Sequence, residues 1–398
     1  MNIQLRIEQI KPRQQDKDRQ GKIGRRNIGT GKIAYLIACL VTSVLGLVSF
    51  SFSVQAHTDL TVVNWGGDVA RAQMLALVRP FEQATGKRVN MDHYSGDLQV
   101  IRDQVDAENV KWDVLDLEYS DLIRICAEGY LEPIDHSYLS VGADGTQPEQ
   151  DFITDSLPEC GVGSIIWATV YAYSQASFPV TQPRTIADFF DVQRFPGKRG
   201  LRRDPCGALE WALMADGVPA VRVYQILDTT EGLDRAFAVL DTIRDQIVWW
   251  SGGAEPVRLL SSGEVSMSAA WNGRLFRPIL ETGLPISIVW DAQLWEIELW
   301  GIAKGTPRLA AAKQFIRFAT DTTRLVDHTR YISYGPVRQS AMARIPDELL
   351  QHLPTSAQNQ QNALRYNSVW WADRFDMINS RFTAWLEAAS QAGDRARF

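Results

Sequence analysis

An alternation of strand and helix patterns limits this chain to a small set of architectures. The strand pattern 60–63 is followed by a helical pattern, a second strand pattern at 88–92, another helical pattern and the apolar run 114–117. Such β-α-β units place parallel strands in one open sheet with helices on both faces. Ligands bind beyond the carboxyl ends of these strands, so we expect the loops 64–68 and 118–121 to border a ligand site.

The same style of pattern returns between residues 165 and 270, which predicts a second β/α lobe. The final third adds strand patterns at 286–290 and 295–302 and several helical patterns. We therefore predict an α/β fold with two lobes, each an open β-sheet flanked by helices, and a ligand cleft between them.

The first 56 residues have the layout of an export signal. Nine Lys or Arg and three Asp or Glu precede the uncharged stretch 33–54, and the small residue Ala56 suits signal peptidase. We expect residues 1–56 to be a signal peptide cleaved after Ala56. The alternative is an uncleaved anchor, because 22 uncharged residues can span a bilayer. Both cases put the folded part in the periplasm or otherwise outside the cytoplasm.

Charge and cysteine content narrow the possible partners. Without the leader the chain keeps 32 basic and 44 acidic residues, a net charge of −12, which argues against nucleic acid and favours cationic ligands. Cys126 and Cys160 lie at the ends of elements that flank one loop, so we pair them in a disulfide and leave Cys206 as a small buried side chain. The chain has five His and lacks the paired-Cys spacing of a metal site, so we expect no metal and no cofactor.

Tryptophans next to carboxylates are the groups most suited to ligand binding. Trp65 adjoins Gly66, Gly67 and Asp68, and Trp271 heads a Trp-Asn-Gly turn. Glu296 and Glu298 share one face of a strand because strand side chains alternate. Aromatic faces and carboxylates together bind alkylammonium groups.

Each of these features has a simpler interpretation. A buried Trp usually packs in a core, and Glu296 and Glu298 could lie on a solvated strand edge. The same pair could also be the acid and base of an exported hydrolase. The sequence contains neither a Gly-x-Ser-x-Gly elbow nor a His-Glu-x-x-His pair, so we expect no enzyme activity.

Seven sequence strings resemble one family in the order in which that family has them. They are NWGGD (64–68), PFEQATGKRV (80–89), WDVLDLE (112–118), EGYLEPID (128–135), FPGKRGLRRDP (195–205), SSGEVSMSAAWNGR (261–274) and ELWGIAKGT (298–306). Together they resemble the extracellular polyamine-binding proteins of ABC transporters, the spermidine and putrescine receptors. The resemblance implies a hinged periplasmic-binding-protein fold of type II, with lobe 1 from 57–168 plus 297–340 and lobe 2 from 169–296 plus 341–398.

The resemblance also implies roles for individual residues. In this family the Trp of the Trp-Asn-Gly turn stacks on the ligand, which points to Trp271, and the acid that binds an amine corresponds to Glu298. The first-strand loop, from Trp65 to Asp68, and the loop with Glu118 and Tyr119 would line the cleft. Spermidine receptors have two acids after FPGKRG, whereas this chain has only Asp204, with Gly207 at the second position.

The leading hypothesis is therefore a monomeric receptor that closes on a polyamine and delivers it to the permease subunits of an ABC importer. The missing second acid supports an alternative, in which the same class of receptor binds an amino-acid-like or opine-like solute. The exported hydrolase is the third hypothesis.

Overall fold

A computed structural model describes residues 58–395 of the chain. The leader, the expected cleavage site after Ala56 and the uncharged stretch 33–54 lie outside the described residues. Within 58–395, no helix is long and apolar enough to cross a membrane.

In the described part of the chain, nine strands join in one mixed sheet. They are β1 (Leu60–Asn64), β2 (Val89–His93), β3 (Val114–Glu118), β4 (Gly161–Ser174), β5 (Arg199–Arg202), β6 (Ile247–Trp250), β7 (Met267–Trp271), β8 (Ile286–Ile302) and β9 (Leu364–Arg365). The strand order is β2-β1-β3-β8-β4-β7-β5-β6, and β9 pairs with β8. Strands β1, β2 and β3 are parallel, as are β5, β6 and β7. The α/β fold with helices around the sheet is confirmed.

Helices connect these strands and cover the sheet. They are α1 (Gly67–Gln73), α2 (Arg79–Thr85), α3 (Gln99–Asp106), α4 (Tyr119–Ala127), α5 (Pro148–Asp151), α6 (Ile186–Phe190), α7 (Ala208–Ala215), α8 (Val223–Leu227), α9 (Thr230–Asp241), α10 (Glu255–Ser261), α11 (Asn272–Leu280), α12 (Leu309–Ala319), α13 (Thr322–Thr329), α14 (Gln339–Met342), α15 (Asp347–Leu350) and α16 (Ser368–Arg395). A π-helical turn, Met74–Val78, joins α1 to α2. The single long helical pattern predicted after β1 therefore forms three consecutive helical segments.

The two long antiparallel strands β4 and β8 connect two hydrophobic cores. The described residues belong to one compact unit. Inside it, one core draws on 60–166 and 297–353, and the other on 168–294 and 364–382. The two strand patterns predicted between 286 and 302 are one strand, which pairs with β4 on both sides of an irregularity around Ala292 where the register shifts.

The division into lobes remains a prediction. The residues that pack in each hydrophobic core would move the predicted boundary at residue 341 further along the chain. Ala341, Ile345 and Leu353 were assigned to the second lobe, yet they pack in the core that contains β1 and β3. The chain would then pass from lobe 1 to lobe 2 for the last time between Leu353 and Leu364. The structure also pairs Cys126 with Cys160, whose Cα atoms are 5.9 Å apart, and leaves Cys206 as a free cysteine.

Candidate functional site

Two sets of parallel strands direct their carboxyl ends at the same cavity. Trp65 follows β1, Tyr94 follows β2 and Glu118 ends β3. In the other set, Arg202 ends β5 and Trp271 ends β7. This convergence is the expected position of a ligand site in open α/β sheets.

The cavity has a volume of about 580 Å³, which is enough for a small solute. Its lining residues are Trp65, Val69, His93, Tyr94, Ser95, Glu118, Trp167, Arg202, Ser251, Trp271, Arg274, Glu298 and Tyr334. We call this space the central cavity. Trp167 and Glu298 come from the two long strands, so the cavity floor lies where the chain passes from one core to the other.

The segment Trp271–Arg274 shows how local sequence builds the wall. It is a junction between β7 and α11 rather than the predicted turn. Asn272 ties this junction to β4, because its Oδ1 accepts a hydrogen bond from the backbone N–H of Ala168 at 2.9 Å. Gly273 is needed for close packing, since a Cβ atom there would lie 2.4 Å from the ring of Tyr334. Trp271 and Arg274 then face the cavity from either side of this fixed pair.

Aromatic rings form much of the remaining wall. The ring centroids of Trp65 and Tyr94 are 4.9 Å apart. Trp271 meets Trp167 edge to face at 6.3 Å, and the Arg202 guanidinium lies 5.5 Å from the Trp271 ring centroid. Rings held in this way offer a rigid apolar surface to the methylene chain of a ligand.

The charged side chains that line the central cavity include both basic and acidic residues. Arg202 and Arg274 line the central cavity together with Glu118 and Glu298. Burial raises the pKa of Glu118 to about 7, and burial together with the charge of Asp116 holds the pKa of Glu298 well above its usual value. These arginines and carboxyl groups can contact a ligand that has one anionic and one cationic end.

Several polar atoms of the lining have no hydrogen-bond partner among the described residues. They are the donors Trp65 Nε1, Trp167 Nε1 and Arg274 Nε, the Tyr94 hydroxyl group and the acceptor Glu298 Oε2. Leaving a buried donor or acceptor unpaired costs about 1–3 kcal/mol, so native proteins rarely keep several in one place without a use for them. Donors and an acceptor in the same cavity suit a ligand that needs both.

Two further cavities lie next to the central cavity, and Glu296 lines both of them. A narrow cavity of about 60 Å³ shares Glu118 and Trp271 with the central cavity, and it also touches Glu296. A further cavity of about 450 Å³ contains Glu296 and Tyr119. One oxygen of the Glu296 carboxyl group accepts a hydrogen bond from Ser368 Oγ. The predicted pair Glu296 and Glu298 is therefore divided between two cavities.

Other predicted site residues lie behind the lining. Asp68 forms an ion pair with Arg277, with 2.7 Å between Oδ1 and Nη1. Asp204 Oδ2 lies 3.9 Å from Arg202 Nη2, and its Oδ1 accepts a hydrogen bond from the Cys206 N–H. Gly66 and Gly67 have positive φ angles, and a Cβ atom at Gly67 would lie 2.5 Å from Arg274 Nη1. No cluster of His, Cys, Asp and Glu suited to a metal ion occurs within 58–395.

Comparison with known proteins assigns the family. Residues 76–356 match the family model described as bacterial extracellular solute-binding protein. The chain belongs to this family. It is 38% identical to the gamma-aminobutyric acid-binding protein of Pseudomonas aeruginosa over 344 residues, which cover 86% of this chain and 95% of that protein. A solved GABA receptor is 30% identical, with a TM-score of 0.71 over 82% of this chain and 97% of that structure.

This solute-binding protein is less similar to one solved polyamine receptor. The spermidine/putrescine substrate-binding protein of Streptococcus pneumoniae shares the fold, with a TM-score of 0.66 over 82% of this chain and 99% of that one, at 15% identity. The expected family is therefore confirmed at the level of solute-binding components of ABC importers, whereas the polyamine ligand is not confirmed. Because the family consists of binding proteins, the hydrolase hypothesis is not supported.

Sequence reasoning singled out Trp65, Trp271, Glu118 and Glu298 in the central cavity, but it missed both arginines. Arg202 and Arg274 each stand inside a string that was quoted for the family resemblance. Their positions carry a usable signal, because Arg202 is the last residue of β5 and Arg274 lies in the first turn of α11, directly after β7.

Proposed function

We propose that this solute-binding protein captures an ω-amino acid such as γ-aminobutyrate and delivers it to an ABC permease. The observation that carries the proposal is the presence of Arg202 and Arg274 in the same cavity as Glu118 and Glu298. A guanidinium binds a carboxylate through paired hydrogen bonds, and the glutamates suit the ammonium end. Two relatives whose names specify GABA binding support this choice.

The same lining disfavours a polyamine. A diamine would place its second ammonium group near Arg202 or Arg274, where like charges repel. The aromatic rings of Trp65, Trp167 and Trp271 would contact the short methylene chain of either ligand, so they do not distinguish the two. Discrimination between an ω-amino acid and a diamine therefore depends on the charged groups at the ends of the ligand.

Calorimetry with four matched ligands tests the proposal. γ-Aminobutyrate has both charged ends, butyrate and butylamine each have one, and putrescine replaces the carboxylate with a second ammonium. A charged hydrogen bond contributes about 1.5–3 kcal/mol, so we expect each single-ended ligand to bind at least roughly tenfold more weakly. Putrescine binding more tightly than γ-aminobutyrate would contradict the proposal.

We also propose that the protein is exported with removal of its leader and that it acts as a monomer. The leader would be removed after Ala56, and the protein would act as a monomer whose two lobes close on the ligand. Intact-mass measurement of protein isolated from the periplasm should show a chain that begins at His57. Size-exclusion chromatography with light scattering should give the mass of one such chain, and a mass that includes the leader would favour the membrane anchor.

A further inference from the structure

A buried carboxyl group lies directly behind the lining of the central cavity. Asp116 on β3 is 0% exposed and is absent from the cavity wall. Its Oδ2 accepts a hydrogen bond from Gln73 Nε2 at 2.6 Å, and its Oδ1 accepts one from Ser164 Oγ at 3.0 Å. Asn64 Nδ2 in turn donates to Gln73 Oε1 at 2.9 Å. The donors that hold Asp116 are thus neutral and fixed in place.

Two other buried carboxylates in this protein are paired with arginine. Asp113 contacts Arg308 at 2.7 Å, and Asp151 contacts Arg338 at 3.0 Å. Asp116 instead lies beside a second acid, Glu298, which is 6% exposed. In the antiparallel pair of β3 and β8, Glu118 is opposite Glu298 and Asp116 is opposite Trp300. Asp116 and Glu298 are therefore diagonal neighbours on one face of the sheet, close enough for a hydrogen bond between their carboxyl groups.

Two carboxylates in such contact cannot both be ionised without strong repulsion, so one proton must lie between them. Burial raises the pKa of Asp116 to about 7, and that of Glu298 lies well above its usual value. The acids around the pair are Tyr94 after β2, Glu118 on β3, Glu296 on β8 and Tyr334, and the same cavity contains His93, Arg202 on β5 and Arg274 on α11. The charges of Glu118 and Glu296 raise the pKa of Glu298, so they favour retention of the proton.

We infer that Asp116 is a positioning residue for ammonium recognition, because it exchanges one proton with Glu298 and lets Glu298 become negative when the ligand arrives. The inference rests on the proposed function only in taking the ligand to have an ammonium group; the shared proton does not depend on the identity of the ligand. Without ligand, the Glu298 hydroxyl donates to the Asp116 carboxylate, which Gln73 and Ser164 also stabilise.

The proton then moves along an existing hydrogen bond. When an ammonium group approaches Glu298, the O–H bond of Glu298 breaks and an O–H bond forms on Asp116. Asp116 now donates to the Glu298 carboxylate, which faces the ammonium. The pair keeps one proton and one negative charge throughout, so neither state contains two ionised carboxylates in a low-dielectric site.

Carboxyl-carbon NMR of the ligand-free protein tests the shared proton without a ligand. At pH 8 we expect the Glu298 carbon at the shift of a protonated acid and the Asp116 carbon at that of a carboxylate. The variants Asp116→Asn and Glu298→Gln, each similar in shape to the wild type, assign the two signals by their loss. Asp116→Asn should lower the pKa of Glu298 by more than about 1, because coupled acids interact by at least this much.

The matched control is Glu118→Gln, which removes a nearby charge without removing the acceptor of the hydrogen bond. It should lower the pKa of Glu298 less than Asp116→Asn does. Circular dichroism checks that each variant is folded. An unchanged Glu298 titration in Asp116→Asn, or two ionised carboxylates at pH 8, would overturn the inference.

Addition of γ-aminobutyrate tests the proton exchange itself. The Glu298 carbon should move toward the ionised shift while the Asp116 carbon moves toward the protonated shift. A Glu298 carbon that stays protonated in the complex refutes the exchange. If calorimetry detects no γ-aminobutyrate binding, the proposed ligand is wrong, and the ligand-free titration still decides whether Asp116 and Glu298 share a proton.

Discussion

Replacing Glu298 with glutamine separates a binding role from a structural one. Glu298 is 6% exposed on β8, lines the central cavity and hydrogen-bonds to Asp116. Glutamine keeps the shape and removes the negative charge. A hydrogen bond to a charged group contributes about 1.5–3 kcal/mol, so Kd for γ-aminobutyrate should rise roughly 10- to 150-fold.

The same substitution should leave the ligand-free protein at least as stable. Burial holds the pKa of Glu298 well above its usual value, so the folded state disfavours the charged form and loses nothing when the charge is removed. Thermal unfolding without ligand should give an unchanged or higher Tm. Calorimetry measures the affinity, and Glu296→Gln is the matched control because Glu296 lies on the same strand but outside the central cavity.

Two results would refute this reasoning about Glu298. One is a change in Kd of less than about threefold, which would mean that the charge of Glu298 adds well under 1 kcal/mol to binding. The other is an equal loss of affinity in Glu296→Gln, which would indicate a general effect of the strand rather than a contact with the ligand.

Three further predictions concern the other end of the ligand, pH and the disulfide. Arg274→Gln should weaken γ-aminobutyrate binding roughly tenfold or more but leave butylamine affinity nearly unchanged in calorimetry, because only the former has a carboxylate; equal losses for both ligands would contradict this role. The raised pKa values of Asp116 and Glu118, both about 7, mean that the folded state binds protons more tightly than the unfolded one. Chemical unfolding of the ligand-free protein should therefore show a higher free energy of unfolding at pH 5 than at pH 8. The affinity for an ammonium ligand should instead rise from pH 5 to pH 8. A free energy of unfolding that rises with pH would contradict the raised pKa values of Asp116 and Glu118. Serine at Cys126 and Cys160 should lower the free energy of unfolding by about 4 kcal/mol, measured with denaturant, since the bridge spans 34 residues; an unchanged midpoint would count against the bridge.

Much of the fold could be predicted from the sequence because the elements have clear periodicity. The helix α7, for example, begins and ends where its apolar pattern does, and the parallel strands follow from their alternation with helices. The bulge that makes β8 one strand could not be predicted. It includes Ala292, a non-glycine residue with φ near 57° that has no partner on β4 and whose carbonyl accepts a hydrogen bond from Trp211 Nε1 at 2.8 Å.

The binding site was less predictable because it depends on which strand ends meet. Trp271 and Glu298 could be predicted from their chemistry. The position of Arg274 after a strand indicates a place near a ligand site, but it does not indicate that Arg274 faces the same cavity as Glu298. That position follows from Asn272, which fixes the start of α11, and from the space that Gly67 leaves beside the guanidinium group. Asp116 was hidden inside an apolar run, although an acid in a buried strand is itself a signal of a special environment.

The most direct test of the central claim is a crystal structure of the mature protein with γ-aminobutyrate. We expect the ligand in the central cavity, its carboxylate within hydrogen-bond distance of Arg202 or Arg274 and its ammonium within reach of Glu298. A ligand bound in the cavity beyond Glu296, or one whose carboxylate faces Glu298, would contradict the claim.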